Sequence, residues 1–407
     1  MKSLEKLFSR RRFGMKMGLE TMRSLLELTN TPYNDLEIIH IAGTNGKGAV
    51  AAMLDSIFNC ANSSVFRYTS PHLLNLNERF FLNGAPIDNE TLESAASIVV
   101  NAAEKITSDV TFFEALTATA VLIASKKKSA YKIFECGLGG RLDATNILNP
   151  RISVITRLGL DHCDYLGNTI KEIAIEKAGI IKPGVPIVMG ENDIDAINTI
   201  KEVAERLSAP FYYAPDLIKK SDLPSKIMPP GAFNRENAIT ALAVAKVIGF
   251  DIIKAKESLS NVIWPGRFQQ IGDIIVDGAH NPPAAKALAN EFLNSEKVVL
   301  VAGFCSDKDV KEVLKILSPI TKEGFAVKTS SERSLTSSET MRYMQESGIK
   351  SQACKSLDEA LAKAKSLGGK ILITGSLYLA GEALVKLGAY PWKNGVIAPG
   401  ELLKATN

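Results

Sequence analysis

"EIIHIAGTNGKGAV", residues 37–50, decides how the rest of the chain is read. A β-branched run ends in a glycine-rich turn that holds one lysine, and apolar residues then recur at helical spacing: Val50, Met53, Leu54, Ile57 and Phe58. A strand, a turn and a helix over 48–60 are expected. Such a turn can aim successive backbone N–H groups at a phosphate, and the helix that follows adds its positive end. Gly43, Thr44, Asn45, Gly46, Lys47, Gly48 and Ala49 are therefore candidate nucleotide-binding residues, with Lys47 as the mobile positive charge. The pattern is one residue shorter than the usual phosphate loop. The dinucleotide fingerprint fits less well, because it needs no lysine in the turn. A merely tight turn is the bland alternative. One feature is unusual: Ala49 stands where a phosphate loop usually carries Ser or Thr.

Outward from this stretch, strand and helix patterns alternate. "SSVFRYTS", "YKIFECG", "ISVITRLGLDH" and "KPGVPIVMG" read as strands with their turns, and 90–105 and 111–125 as helices. Continuous apolar strands between helices predict an α/β fold with a mostly parallel sheet covered on both faces. "NVIWPGRFQQ", 261–270, breaks the pattern with a proline and a glycine. The alternation then restarts with "DIIVDGAH", "KVVLVAGF", "GFAVKTS" and "KILITGSLY". We therefore expect a first domain over 1–263 and a smaller α/β domain over 264–407.

Composition bounds the function. The 407 residues are 46% hydrophobic and 23% charged, which fits a folded chain of two domains. A net charge of +4 is slight for this length, and no basic-aromatic interleaving suggests nucleic acid. No stretch is apolar for the length of a membrane span. The five cysteines have neither metal-ligand spacing nor scaffold density, so reduced thiols and a cytoplasmic location are expected. "SRRRFGMK", 9–16, has a twin-arginine look, but helical periodicity at Leu19, Met22, Leu25 and Leu26 follows instead of an apolar leader.

Seven stretches together carry a resemblance: "HIAGTNGKG" (40–48), "TSPHL" (69–73), "NERF" (77–80), "ECGLGGRLDATN" (135–146), "LDHCDYLGNTIKEIAIEKAGIIKPG" (160–184), "WPGRFQ" (264–269) and "DGAHNP" (277–282). In this order they resemble the bacterial folylpolyglutamate synthases, most closely the bifunctional dihydrofolate synthase/folylpolyglutamate synthases of the Mur ligase superfamily. The resemblance implies a Mur-ligase-like ATPase domain with a phosphate loop, followed by a smaller Rossmann-like domain. It implies ATP-driven ligation of L-glutamate to dihydropteroate and to reduced folates through an acyl phosphate. Mg²⁺ and possible K⁺ use, and a monomer, belong to the same expectation.

By this resemblance Ser70, Glu135 and His162 match metal ligands; each lies at or just after a strand end. An oxygen-rich set with a carboxylate and a hydroxyl suits Mg²⁺. Projected at about 100° per residue, Ile170, Ile173, Ala174, Lys177 and Ala178 share one helix face, so Lys177 is expected to point inward. A lysine snorkelling to solvent is the plain alternative. The resemblance implies that Lys177 is carbamylated. Asn237, Arg267 and Asp277 match residues that contact ATP, and the segment of His280 helps place phosphate or glutamate; Ser376, after "KILIT", is a further candidate at the same strand-end edge. Thr111, Phe112, Phe113 and Glu114 match one wall of a dihydropteroate pocket, and Leu142, Asp143 and Ala144 the other. An aromatic ring and a carboxylate able to meet pterin nitrogens make physical sense there. One of the two adjacent phenylalanines is expected to serve packing alone.

Three other readings compete. A monofunctional folylpolyglutamate synthase shares nearly every motif. A cell-wall ligase fits less well, because the loop at 43 leaves little room before it for a UDP-binding domain. A nucleotide-binding homologue without catalysis draws its argument from Ala49.

Overall fold

The computed structural model describes residues 2–9, 18–34, 36–107 and 109–392. The basic run Arg10–Arg12, and with it the twin-arginine reading of 9–16, lies outside the described residues apart from Ser9. The expected N-terminal helix runs over Glu20–Leu28 and buries Met22, Leu25 and Leu26. Among the described residues, no helix is long and apolar enough to cross a membrane.

The chain forms two compact units. The first comprises residues up to Met228 together with Asn234–Val262; the second comprises Pro229–Phe233 and the described residues from Ile263 onward. The chain thus enters the second unit twice, where the sequence suggests a single division. Glu291 fixes the short visit by accepting the Ala232 N–H, and the Phe233 ring meets Phe268 edge-on, 6.1 Å between centroids. Five residues carry no periodicity, so the sequence pattern gives no sign of this visit.

In the first unit the strands are β1 (Ile38–Ala42), β2 (Val65–Tyr68), β3 (Phe80–Leu82), β4 (Ala85–Pro86), β5 (Tyr131–Glu135), β6 (Ile152–Ile155), β7 (Ile187–Met189) and β8 (Phe211–Tyr213). They form one sheet in the order β4-β3-β2-β5-β1-β6-β7-β8. β1 pairs in parallel with β5 and β6, Ile41 opposite Glu135 and Val154. All five residues of β1 are buried, and successive side chains point to opposite faces, so both faces of the sheet are covered there. The helix Lys47–Cys60 buries the five expected apolar residues, and Phe58 stacks on Tyr131 at 4.2 Å. Helices Asn89–Ala103 and Phe112–Lys126 fill the two spans read as helical.

The antiparallel pairings of β3 with β2 and with β4 are not visible as strands in the sequence. This edge follows the buried segment Leu76–Arg79, whose Glu78 carboxylate accepts the N–H groups of Leu73, Leu74 and Asn75. β2 carries an internal ion pair. Arg67 Nε lies 3.2 Å from Asp55 Oδ2, both side chains are nearly inaccessible, and the guanidinium sits 3.9 Å over the Phe81 ring.

The second unit holds β9 (Gln269–Ile271), β10 (Ile274–Val276), β11 (Val298–Ala302), β12 (Thr321–Ala326), β13 (Ser351–Ala353) and β14 (Ile371–Thr374), in the order β13-β12-β11-β14-β10-β9. Only the edge strand β9 is antiparallel, paired with β10. The four expected strands form the four central positions. Leu288, Phe292, Val298, Leu300, Leu314 and Leu372 belong to its core.

Candidate active site

The glycine-rich turn leaves β1 under tight steric limits. Gly43 has φ +154°, and a Cβ there would fall on Thr156 Oγ1 at the end of β6. Gly46, φ +87°, caps the helix Lys47–Cys60, and a Cβ would collide with Asn237 Oδ1. Only glycine fits both the left-handed backbone and the close approach. The N–H groups of Thr44 and Asn45 are already donated to the Arg157 carbonyl, at 3.0 and 3.2 Å. The first intrahelical bond runs from Val50 N to Gly46 O, so Gly46, Lys47, Gly48 and Ala49 supply the amides that a helix start leaves without helical acceptors. The Ala49 methyl is buried.

Two lysine amines meet at this turn. Lys47 Nζ donates to Gly43 O at 3.0 Å and Thr44 O at 3.3 Å, and Lys177 Nζ donates to the same Gly43 O at 2.9 Å. Lys177 is 3% exposed and lies on the buried face of the helix Ile170–Ala178, with Ile173, Ala174 and Ala178, as the periodicity predicts. Burial, and then the nearby Lys47 cation, pull the Lys177 pKa down to about 7. A substantial neutral amine population is thus present near neutrality.

The expected metal ligands are placed unequally. Glu135, buried at the end of β5, accepts the Ser70 N–H on Oε2 at 3.0 Å, so these two are brought together. His162 has a left-handed backbone, φ +53°, and its Nε2 lies 3.8 Å from Asp161 Oδ1 with the side chain 40% exposed. Among the described residues, no three His, Cys, Asp or Glu side chains converge as a metal cluster. The buried Glu135 carboxylate, with the Ser70 backbone held against it, offers hard oxygen, which fits a divalent ion such as Mg²⁺ that leans on phosphate and water for its other ligands.

The pocket walls proposed from sequence are built by local capping. Thr111 and Glu114 form a capping box at the start of Phe112–Lys126: Glu114 Oε2 accepts from Thr111 N and Oγ1, both at 2.8 Å. Phe112 stacks on Phe8 at 5.6 Å and so serves packing, while the Phe113 ring lies against Gly137, where a Cβ would strike it. Asp143 is 7% exposed. Its Oδ2 accepts the Gly137 and Leu138 N–H groups, each at 2.9 Å, and its Oδ1 accepts Thr145 N and Oγ1. A carboxylate has about four acceptor sites. All four are thus filled by protein, and Asp143 acts here as the organiser of the 137–145 loop, not as the open acceptor anticipated for pterin nitrogens. Leu142 is half-buried and Ala144 buried in the same loop.

In the second unit the expected residues gather at the ends of β10 and β14. Asp277 is buried; its Oδ2 accepts Phe268 N at 2.7 Å and its Oδ1 accepts Ala279 N at 2.8 Å. Burial pushes its pKa up, and the Arg267 guanidinium opposes that shift. Gly278 has no room for a Cβ between Arg267 and Leu377. His280 donates Nδ1–H to Gly278 O at 2.7 Å, which leaves the second nitrogen as the acceptor in the neutral ring. Ser376 is the N-cap of Leu377–Lys386, accepting Leu379 N at 3.1 Å. Asn237, in the first unit, donates Nδ2 to Asn234 Oδ1 at 3.2 Å.

Sequence reasoning missed one group beside the wall expected for the first substrate. Arg79 donates Nε to His72 Nδ1 at 3.0 Å and lies 5.7 Å over the Phe112 ring. A buried arginine inside a strand-like run, "NERF", is the signal that could have marked it.

Two family models match the chain: "Mur ligase middle domain" over residues 41–211 and "Mur ligase, glutamate ligase domain" over 266–377. The dihydrofolate synthase/folylpolyglutamate synthase of Bacillus subtilis is 33% identical over 351 residues, covering 77% of this chain and 81% of that enzyme. Among solved structures, Escherichia coli FolC in complex with DHPP and ADP is 26% identical with a TM-score of 0.86, covering 95% of this chain and 97% of that one. A bifunctional folylpolyglutamate synthase/dihydrofolate synthase with Mn, AMPPNP and L-glutamate bound is 29% identical with a TM-score of 0.83, over 95% and 97% of the two chains. Identity of 33% over 77% of the chain, with both Mur ligase domains in order, means that the chain belongs to the dihydrofolate synthase/folylpolyglutamate synthase family of ligases.

Proposed function

We propose that this chain joins L-glutamate to dihydropteroate and to the γ-carboxyl of reduced folates, at the expense of ATP and through an acyl phosphate. The observation that carries the reading is the meeting of Lys47 and the buried Lys177 on Gly43 O at a helix start. The Lys47 cation at that helix start suits a polyphosphate, which offers it a stronger partner than a carbonyl. The relatives' complexes with ADP, with AMPPNP and L-glutamate, and with DHPP support the same substrates.

In this mechanism the amides of Gly46 to Ala49 and the Lys47 amine bind the β- and γ-phosphates of ATP, with Gly43, Thr44 and Asn45 shaping the turn. Ser70, Glu135 and His162 hold Mg²⁺, which neutralises phosphoryl charge when bound; K⁺ as a second ion is part of the proposal. The neutral Lys177 amine adds to CO₂: an N–C bond forms as one C=O π bond opens, one amine proton leaves to water, and a carbamate anion replaces the neutral amine. Asn237, Arg267 and Asp277 are assigned to the nucleotide. Phe113, Leu142, Ala144 and the loop organised by Asp143 hold the pterin, flanked by Thr111, Phe112 and Glu114. A carboxylate oxygen of that substrate attacks the γ-phosphorus as the bridging P–O bond to ADP breaks. The glutamate amine then forms the amide N–C bond, and phosphate departs with the C–O electron pair while the amine gives up a proton. His280 and Ser376 are assigned to phosphate and glutamate. The proposal places ATP and pterin with residues 1–263 and the glutamate-ligase part with 264–407, in a cytoplasmic monomer.

Ala49 leaves the loop amide in place and removes only a hydroxyl, a loss of about 0.5–1.5 kcal/mol of polar contact. Purified protein, labelled glutamate, ATP and either dihydropteroate or tetrahydrofolate test the reading. Ligation to both supports the bifunctional assignment, and ligation to tetrahydrofolate alone marks a monofunctional enzyme. An inert wild type with turnover restored about a thousandfold by Ala49→Ser would show that the hydroxyl is indispensable.

A further inference from the structure

We propose that His40 is a positioning residue: acting through Thr145, it fixes Asp143 and with it the 137–145 loop that walls the pterin pocket. The inference rests on the functional reading above for its consequence, and on the geometry of four buried side chains for its existence. His40 lies in the middle of β1 and is fully buried. Its Nε2 is 2.8 Å from Thr145 Oγ1, which in turn hydrogen-bonds to Asp143 Oδ1. Cys136 Sγ sits 3.1 Å from the same His40 nitrogen and 3.4 Å from the Thr145 hydroxyl.

The direction of these bonds follows from what each atom can do. Burial pushes the Asp143 pKa up, and the donors oppose that shift: three of the four are backbone N–H groups, which cannot accept, so the ionised carboxylate is the form the hydrogen bonds favour. An ionised Asp143 requires the Thr145 hydroxyl to donate to it. Thr145 must then accept from His40, which places the histidine proton on Nε2. The other nitrogen, Nδ1, is buried without a hydrogen-bond partner. A buried ring N–H left unpaired is worse than a buried lone pair left unpaired, so this observation independently puts the proton on Nε2. Burial, with Lys182 as a lesser cause, lowers the His40 pKa to about 3, and the ring stays neutral at physiological pH. Cys136 Sγ, a weak acceptor, can share the Nε2 proton, which Thr145 Oγ1 takes at the shorter distance of 2.8 Å.

The consequence is a wall of fixed shape. With one proton direction through His40, Thr145 and Asp143, the carboxylate keeps Gly137 and Leu138 on its other oxygen, and Gly137 is the residue against which the Phe113 ring lies. No member of the relay needs to touch substrate. Its loss is expected to loosen substrate binding far more than turnover.

Two measurements on the full chain test this. In ¹⁵N-labelled protein, with His40 identified by the signal missing from His40→Gln, the expected spectrum has a bare Nδ1 and a protonated Nε2, unchanged between about pH 5 and 8. In steady-state ligation, Thr145→Val is expected to raise the KM for dihydropteroate roughly tenfold with kcat within about twofold and the KM for ATP unmoved. Thr145→Ser, which keeps the hydroxyl, is expected to stay near wild type. A proton on Nδ1, or a Thr145→Val enzyme with wild-type KM, overturns the proposal. Should the wild type ligate glutamate to neither pterin substrate, the functional reading falls, and the tautomer alone decides the relay.

Discussion

At the C-terminal ends of β1 and β5 the first unit collects Lys177, Glu135 and Asp143, all ionisable and all less than a tenth exposed. At the ends of β10 and β14 the second unit sets Asn281 and Ser376, equally buried, but each is neutral and each caps the helix that follows it. Asp277 is the exception, a buried acid satisfied by two backbone amides within ten residues of it. The two sheets share a largely parallel plan and differ in what they do with polar strand ends. One concentrates charge that burial opposes: Lys177 and Glu135 are met by distant segments, at Gly43 and Ser70, and Asp143 by the amides of its own loop. The other satisfies its polar groups locally. The first arrangement stores binding potential for a charged ligand; the second builds a firm platform.

The contrast can be broken most directly at the buried ion pair. Asp55→Ala strands Arg67 without its carboxylate and is expected to cost about 3–5 kcal/mol in urea unfolding. The second unit's Lys350–Glu323 pair, 2.9 Å long with Lys350 77% exposed, supplies the matching control, and Lys350→Ala is expected to cost no more than about 1 kcal/mol. Similar losses for the two would erase the distinction between the units.

Next in size is an effect on activity. Lys47→Ala removes the mobile cation from the turn and is expected to lower kcat for ATP-dependent ligation roughly 10²–10³-fold, while thermal unfolding of the free protein changes little. A variant that keeps wild-type turnover would remove the first unit's edge from the chemistry.

Stability against pH sharpens the same comparison. The folded Lys177 pKa of about 7 lies below the ordinary lysine value of 10.5. The unfolded chain therefore binds more protons between those values, so this lysine's penalty to folding is full below about pH 7 and fades as pH rises towards 10.5. In CO₂-depleted buffer, Lys177→Met is expected to stabilise the protein by roughly 2 kcal/mol at pH 6 and by less at pH 9. A pH-independent difference would mean that the amine is not held in a charge-opposing site.

The smallest effect belongs to the second unit. Asn281→Ala deletes an N-cap whose Oδ1 accepts Ala284 N at 2.9 Å, and a loss of about 1 kcal/mol in denaturant unfolding is expected at every pH tested. A pH-dependent loss would place Asn281 in the charged class.

Much of this plan is legible from residues alone. "EIIHIAG", "YKIFECG" and "KILITGSLY" are continuous apolar runs, and such runs mark strands buried on both faces. Lys177 is legible because a nine-residue helix repeats often enough to give its face away. β4, β8, β9 and β13 are not: two or three residues, half-buried or exposed at sheet edges, carry no readable period. The role of Asp143 is hidden for a different reason. "GRLDATN" shows a carboxylate near a presumed pocket, but nothing local says that the Gly137 and Leu138 amides turn back onto it. His40 meets Thr145 across 105 positions of sequence, a distance at which pattern gives way to topology.

The four donors on Asp143 bear on how the protein could change over generations of mutation. A residue whose every acceptor site is filled by neighbours cannot be exchanged alone, since each neighbour's best identity is conditional on the others. Substitutions at 143 and 145, whose side chains meet, are therefore coupled, and 137 and 138 tolerate any residue that keeps its N–H more readily than proline. Positions 281 and 376 each cap the helix that follows them and share no hydrogen bond like the one that ties 143 to 145.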